Sequence, residues 1–296
     1  MALDGYYGPE NVGILMAEER GYFTDVGIDA IVTAPSPPSR PVSYVMSGIV
    51  DLAVSHQPQV AIARGKDLPV VAVGSLISRP TAAMIWLQRS RIGGIADLRG
   101  KTIAIPGLPF QEEFLASILA RAGLTLADVE VRVAGYDLLP DLVKGRADAI
   151  FGGSWNLEGA VLEARGLDPV ITRVQSLGVP SYDELVVIAR SNRVSKDPQL
   201  IRDFMSAVAR GTADALEDPE AAARVVVDGY EANPDLSRKS VEAEIEATLP
   251  LLSRSGYMDP AQAEGLVDWM QAEGMIRKKP PVSSLLTNEY LAHSGQ

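Results

Sequence analysis

The residues best suited to chemistry fall in two short clusters. Trp155, Asn156 and Glu158 directly follow Gly152 and Gly153, and bring a flat apolar face, an amide and a carboxylate together. An indole face stacks on planar rings, an interaction worth about 1–3 kcal/mol per base in nucleic-acid binders. A carboxylate accepts two N–H groups from one edge of such a ring. His56 and Gln57 form the second cluster, with donors and acceptors suited to the same task. The plainer assignments are a core tryptophan, a first-turn acid favoured by the helix dipole, an amide that caps a helix, and polar side chains at 56 and 57 that satisfy backbone.

Both clusters stand at the end of the same local plan. Gly48-Ile-Val-Asp51 precedes an apolar run and then Ser55-His-Gln-Pro-Gln-Val60; Gly145-Arg-Ala-Asp148 precedes another and then Gly-Gly-Ser-Trp-Asn. The second stretch predicts a buried strand over 147–151, a tight turn at Gly152–Gly153, where missing side chains let something approach the backbone, and a helix. In α/β proteins ligands bind beyond the carboxyl ends of strands, where such turns lie. One supersecondary unit in each half suggests two similar lobes, with the two turns as opposite jaws of one cleft.

Composition narrows the alternatives. At 296 residues, 47% of them hydrophobic, the chain fills two α/β domains or one large one. A net charge of −11 argues against nucleic acid or an anionic membrane as the main partner. No apolar run is long enough for a membrane span. Cysteine is absent, which excludes disulfides, thiol nucleophiles and Cys-based metal sites. The two histidines, His56 and His293, are far apart, so no metal site is expected. Glycine-rich nucleotide loops and the Gly-x-Ser-x-Gly elbow are missing as well. His56 is the one plausible base, and no lysine lies near either turn, so the chain is expected not to be an enzyme, with no catalytic residue and no cofactor.

In chain order, 3–7 reads as a strand, then a helix ends near Gly21, and 27–32 is a second strand. Loop 36–38 leads to a short helix at 41–46, and 70–74 is a buried strand. This β-α-β-α-β order predicts a parallel sheet with right-handed crossovers. The character breaks at 78–80. Strands follow at 83–88, 101–105, 129–133 and 170–172, with helices at 95–100, 111–122 and 138–144. A further break at 178–184 leads to an apolar strand at 185–189. Asp197-Pro198, Asp218-Pro219 and Asp259-Pro260 each pair an N-cap acceptor with a proline at the first helical position. They predict helices at 198–216, 219–230, 237–252, 260–273 and 284–292, a helical tail packed on the first lobe.

Several of these stretches resemble a known group. Leu3-Asp4 with Tyr6, Glu18-x-Arg-Gly-Tyr22-Phe23, Gly27-Ile28-Asp29 and Gly48-x-x-Asp51-Leu are similar to solute-binding proteins of ABC importers. The resemblance falls in their NMT-like branch, which also holds the yeast enzyme that makes the thiamine pyrimidine. Ser55-His-Gln-Pro-Gln-Val60, Asp97-Leu-x-Gly100-Lys101, Tyr136-Asp-Leu-Leu-Pro140, Trp155-Asn-x-Glu158 and Gly178-Val-Pro-x-Tyr182-x-Glu-Leu185 resemble the binders of formylaminopyrimidine, a thiamine precursor. The family's opening reads Leu-Asp-Trp-Tyr-Pro-Asn, whereas here Gly5, Tyr7 and Gly8 replace its Trp, Pro and Asn, and the aromatic face there falls to Tyr7. The cysteine-rich motif of the yeast enzyme has no counterpart.

The resemblance implies a two-lobe periplasmic-binding-protein fold of type II, α/β, with 1–80 and 184–296 in lobe one and 81–183 in lobe two. It implies hinge closure on a small heteroaromatic solute, with Tyr6, Tyr7, Glu10, Asn11, His56, Gln57, Phe110, Trp155, Asn156, Glu158 and Tyr182 as ligand-binding residues. Flavin-like or sulfonate-type solutes are alternatives, as is a pyrimidine-synthase-like enzyme. No Lys or Arg lies within the two turn clusters, against the sulfonate reading. The implied partners are an importer permease and ATPase, with no nucleic acid, and the chain is expected to be a monomer. The implied location is periplasmic or membrane-tethered and extracytoplasmic, with the leader absent from this chain.

Overall fold

The computed structural model describes residues 1–5, 7–35, 40–135, 138–229 and 238–291. The chain divides into two compact units, Met1–Arg79 with Tyr182–Gln296, and Pro80–Ser181. Unit 1 begins with a 3-10 turn, Pro9–Asn11, followed by α1 (Val12–Glu19), α2 (Tyr22–Asp25), α3 (Pro41–Ser47), β1 (Leu52–Ser55), α4 (Gln57–Gly65) and β2 (Val70–Ile77). Every residue of β1 and β2 is buried. That is why they read as continuous apolar runs rather than as alternating ones.

Unit 2 comprises β3 (Ala82–Leu87), β4 (Thr102–Ile105), α5 (Gln111–Arg121), β5 (Glu130–Val133), α6 (Leu138–Val143), β6 (Ala149–Ser154), α7 (Ala160–Ala164) and β7 (Pro169–Arg173). Its strand order is β5-β4-β6-β3-β7, with β3 antiparallel to both β6 and β7 and β4 parallel to β5 and β6. The carboxyl ends of β4, β5, β6 and β7 therefore share one edge of the sheet. Ile85, Leu87, Leu138, Leu142, Ile150 and Leu162 form a core on which Trp155 and Ile171 pack partly buried. Asp141 anchors the start of this region: it is buried and accepts from Arg132 Nε at 2.7 Å and Arg146 Nε at 2.6 Å.

The chain then returns to unit 1 as β8 (Leu185–Arg190), α8 (Ser191–Lys196), α9 (Pro198–Glu217), α10 (Pro219–Gly229), α11 (Arg238–Thr248), α12 (Pro260–Ala272) and α13 (Val282–Leu285). The three expected N-caps form, with Asp197, Asp218 and Asp259 accepting from the N–H groups of Leu200, Ala221 and Ala261. α9 crosses α1 so closely that a Cβ on Gly211 would lie 2.2 Å from the Gly13 carbonyl oxygen. Stacking of Phe23 on Phe204, with centroids 5.1 Å apart, locks α2 onto α9.

The first sheet departs from the parallel expectation. Its order is β1-β8-β2, and β8 runs antiparallel to both neighbours. Among the described residues parallel pairing in this unit survives as single bridges, Ala2 with Thr33, Ala2 with Ala53 and Ala72 with Leu286. Hence 3–7 and 27–32 form no strand among the described residues: the chain bends at Asp4 and Gly5, and Tyr6 lies outside the described residues. The terminal helix is shorter than the expected 284–292, spanning Val282–Leu285 before the chain turns.

Candidate functional site

Each unit carries one polar cluster, and each arises from the helix–Gly-x-x-Asp–strand plan. Gly48 (φ 78°) ends α3 and Gly145 (φ 70°) follows α6, both in the left-handed conformation that glycine adopts without Cβ strain. Asp51 then accepts from Arg193 Nε, and Asp148 from the Thr102 backbone N–H, at 3.0 Å each. These contacts start β1 and β6 in register.

In unit 1, β1 ends at Ser55, and His56 takes the extended N-cap conformation before α4, with Pro58 in the first helical turn. Because β8 threads between β1 and β2, Val186 pairs with both Ser55 and Ser75. The residues just before β8 are thereby brought against the carboxyl end of β1. His56 Nδ1 lies 3.0 Å from Glu184 Oε1. Gln57 and Asp183 bond reciprocally, Gln57 Nε2 donating to Oδ2 at 3.2 Å and the Asp183 N–H to Gln57 Oε1 at 3.0 Å. The Ser75 hydroxyl donates to Asp183 Oδ1 at 2.7 Å. Asn11 Nδ2 donates to Asp4 Oδ1 at 3.0 Å. Tyr182 is wholly buried, and Glu10 is 6% exposed.

Three carboxyl groups, Asp4, Glu10 and Glu184, thus act on one imidazole in a buried setting, with Asp183 held next along by Gln57 and Ser75. Burial would push the His56 pKa down, but the hydrogen bond and charge of Glu184, reinforced by Asp4 and Glu10, raise it overall. Asp4 is raised by burial, against the pull of His56 and Asn11. Burial lifts Asp183 from 3.8 to about 6 in spite of the donors from Ser75 and Gln57. The Tyr182 phenol is pushed far up by burial and then by Glu184. Such a site holds negative charge in excess of its one base, so it favours a ligand edge rich in N–H donors or carrying a proton.

In unit 2, the expected Gly152–Gly153 turn is not a turn. β6 continues through both glycines to Ser154, and Gly152 is the extra residue of a β-bulge, since Ala83 faces Gly153 while Met84 faces Phe151. Its φ is +77°, and a Cβ there would meet Gln111 Nε2 at 2.5 Å. The turn comes after the strand, as a π-helical segment, Trp155–Gly159, that runs into α7. Its wider ring moves the capping acid one place on: the Ser154 N–H donates to Glu158 Oε2 at 2.7 Å, four residues later instead of three. Burial raises the Glu158 pKa. Asn156 is fully buried. Trp155 is half-buried, its Nε1 donating to the Pro80 carbonyl at 3.4 Å. The Arg173 guanidinium lies over the ring, 3.8 Å from its centroid. A cation does therefore stand at this cluster, although none is near it in sequence.

The structure gathers Glu10, Asn11, His56, Gln57 and Tyr182 in one cluster and Trp155, Asn156 and Glu158 in the other. Tyr7 stands apart, its hydroxyl donating to the Val32 carbonyl at 3.2 Å and its ring against Gly229. Phe110 is buried edge-on against Phe114, with centroids 5.0 Å apart, a packing position. Ser75, Asp183, Glu184 and Arg173 were not singled out by sequence. The available signal was an acidic pair set directly before an apolar strand. Among the described residues no group of three or more His, Asp or Glu side chains is arranged to hold a metal, and no helix is long and apolar enough to cross a membrane.

A family model described as NMT1/THI5 like matches residues 8–222. The chain is 32% identical over 281 residues to the formylaminopyrimidine-binding protein of Halalkalibacterium halodurans, covering 93% of this chain and 85% of that one. It is 28% identical over 220 residues to the 4-amino-5-hydroxymethyl-2-methylpyrimidine phosphate synthase of Schizosaccharomyces pombe, covering 71% and 63%. The alkanesulfonate-binding protein SsuA from Xanthomonas axonopodis pv. citri, solved bound to MOPS, superimposes with a TM-score of 0.73 at 15% identity, covering 97% of each chain. The fold is that of periplasmic binding proteins.

Proposed function

This chain belongs to the NMT1/THI5-like family, and from that premise we propose that it is the extracytoplasmic solute-binding protein of an ABC importer whose ligand is an aminopyrimidine of the formylaminopyrimidine kind. The carrying observation is the buried carboxyl-rich cluster around His56, which suits an N–H-rich, protonatable ring edge better than a sulfonate. Trp155 would stack on the ring, and Glu158 and Asn156 would take hydrogen bonds from its substituents. His56, Gln57, Glu10 and Asn11 would meet the donor edge, with Tyr182 held beside Glu184 as support. The relative from Halalkalibacterium halodurans favours the same ligand class.

A thermal-shift series with formylaminopyrimidine, other aminopyrimidines, riboflavin and alkanesulfonates tests this. At a ligand concentration 100 times Kd, binding adds about 2.7 kcal/mol to stability. For units of this size that raises Tm by roughly 5–10 °C. The aminopyrimidines are expected to give this shift; stabilisation by sulfonates or riboflavin alone would sink the reading.

A second reading, a pyrimidine-phosphate synthase, draws on the Schizosaccharomyces pombe relative and on the hydrogen-bonded pair His56–Glu184, which has the form of an oriented base. Pyrimidine phosphate formed by the wild type and lost in His56→Ala would establish it. The expected result is no product.

A further inference from the structure

We infer that Arg173 reads an anionic oxygen substituent on the ligand, so that the preferred solute is an aminopyrimidine bearing a carboxylate or phosphate rather than a neutral ring; this rests on the function proposed above. Arg173 is the last residue of β7, and Trp155 directly follows the last residue of β6. The two strands run the same way beside β3, and Ala83 faces both Arg173 and Gly153. Arg173 and Trp155 therefore stand together at the carboxyl edge of the sheet, the place where α/β folds hold ligands. The guanidinium lies 3.8 Å from the indole centroid while the side chain stays exposed. Among the described residues no hydrogen bond or ion pair engages its N–H groups. Here the ring holds the guanidinium in place and leaves its donors for an oxyanion, which such a fork fits bidentately.

The charge distribution agrees. Residues 80–181 carry ten basic and eleven acidic side chains, so nearly all of the net charge of −11 falls on unit 1. An anionic group is repelled by the carboxyl cluster around His56 and tolerated beside Trp155. A purely neutral ring stacked on Trp155 leaves the Arg173 donors without a task.

The test is a calorimetric titration with a 4-aminopyrimidine carrying a neutral 5-hydroxymethyl group and with the same ring carrying a 5-phosphate ester or a 5-carboxymethyl group. Wild type is expected to bind at least one anionic ring tenfold or more tighter than the neutral one, with the preference shrinking as salt is raised. The phosphate and carboxylate arms tell which oxyanion is read. Arg173→Gln is expected to collapse the anionic-to-neutral ratio to about one, and Arg173→Lys to restore it in part. Equal wild-type affinities, or a ratio left unchanged in Arg173→Gln, would overturn the inference while leaving aminopyrimidine binding intact. Binding of no pyrimidine at all overturns the proposed function itself, and this inference with it.

Discussion

Asp183 offers a sharp test of how the unit 1 cluster is built. Its carboxyl is nearly sealed from water, accepts from Ser75 and Gln57, and titrates at about 6 instead of 3.8. That displacement corresponds to about 3 kcal/mol. Because the folded value is the higher one, the native state binds the proton more tightly than the unfolded chain does. The group's contribution to stability is therefore fully present below pH 3.8 and is lost as pH rises through about 6. Asp183→Asn removes the titration. Its amide oxygen still accepts from Ser75, but its NH2 meets the donor Nε2 of Gln57, a cost of about 1–3 kcal/mol that does not vary with pH. The difference in unfolding free energy between variant and wild type should therefore move by about 2.4 kcal/mol in favour of the variant between pH 4 and pH 7. Urea unfolding at half-unit pH steps measures it. Trp269 lies in unit 1 and Trp86 and Trp155 in unit 2, so a Trp86→Phe/Trp155→Phe background reports the unit 1 transition by fluorescence. A difference that stays flat across the window, to within about 0.5 kcal/mol, would show that Asp183 ionises as freely in the folded protein as in the open chain.

Other substitutions separate binding from packing. Trp155→Ala should weaken aminopyrimidine binding tenfold or more, about 1.4 kcal/mol, in a calorimetric titration. Because the ring is half-buried on the unit 2 core, apo stability should fall by about 1–2 kcal/mol, short of the 3–5 typical of a fully buried aromatic. Gly211→Ala should cost about 1–3 kcal/mol in unfolding experiments, since the new methyl would sit 2.2 Å from the Gly13 carbonyl oxygen and force α1 and α9 apart; an unchanged Tm would show that the helices can slide to make room.

What the sequence revealed follows from how local each feature is. The Asp-Pro caps of α9, α10 and α12 act within three residues, and their helices begin where the pairs stand. The two Gly-x-x-Asp units likewise set helix, strand and helix over less than 30 residues. By contrast, nothing near Leu185 says that β8 will slip antiparallel between β1 and β2, a pairing across about 130 residues. The same non-local step delivers Asp183 and Glu184 to His56. It also turned an expected parallel sheet into an antiparallel one, with parallel pairing at its margin reduced to single bridges of Ala2 with Thr33 and with Ala53. Gly152–Gly153 reads naturally as a turn, because glycine pairs often are; only the partner strand shows one of them as a bulge. Arg173 was hidden for a similar reason, eighteen positions from Trp155 in sequence and across β3 from it in space.

The place of β8 also governs the order in which the chain can fold as it is made. Unit 2 is continuous, so all five of its strands have been synthesised by residue 173. Unit 1 at that moment has β1 and β2 but lacks the strand that joins them, and the two have no pairing with each other. Its helical cover, α9 above all, comes later still. A nascent chain therefore carries a finished second unit behind two apolar strands that must wait for residue 190 before their backbone groups are satisfied. Long-range pairing of this sort makes unit 1 the slow step.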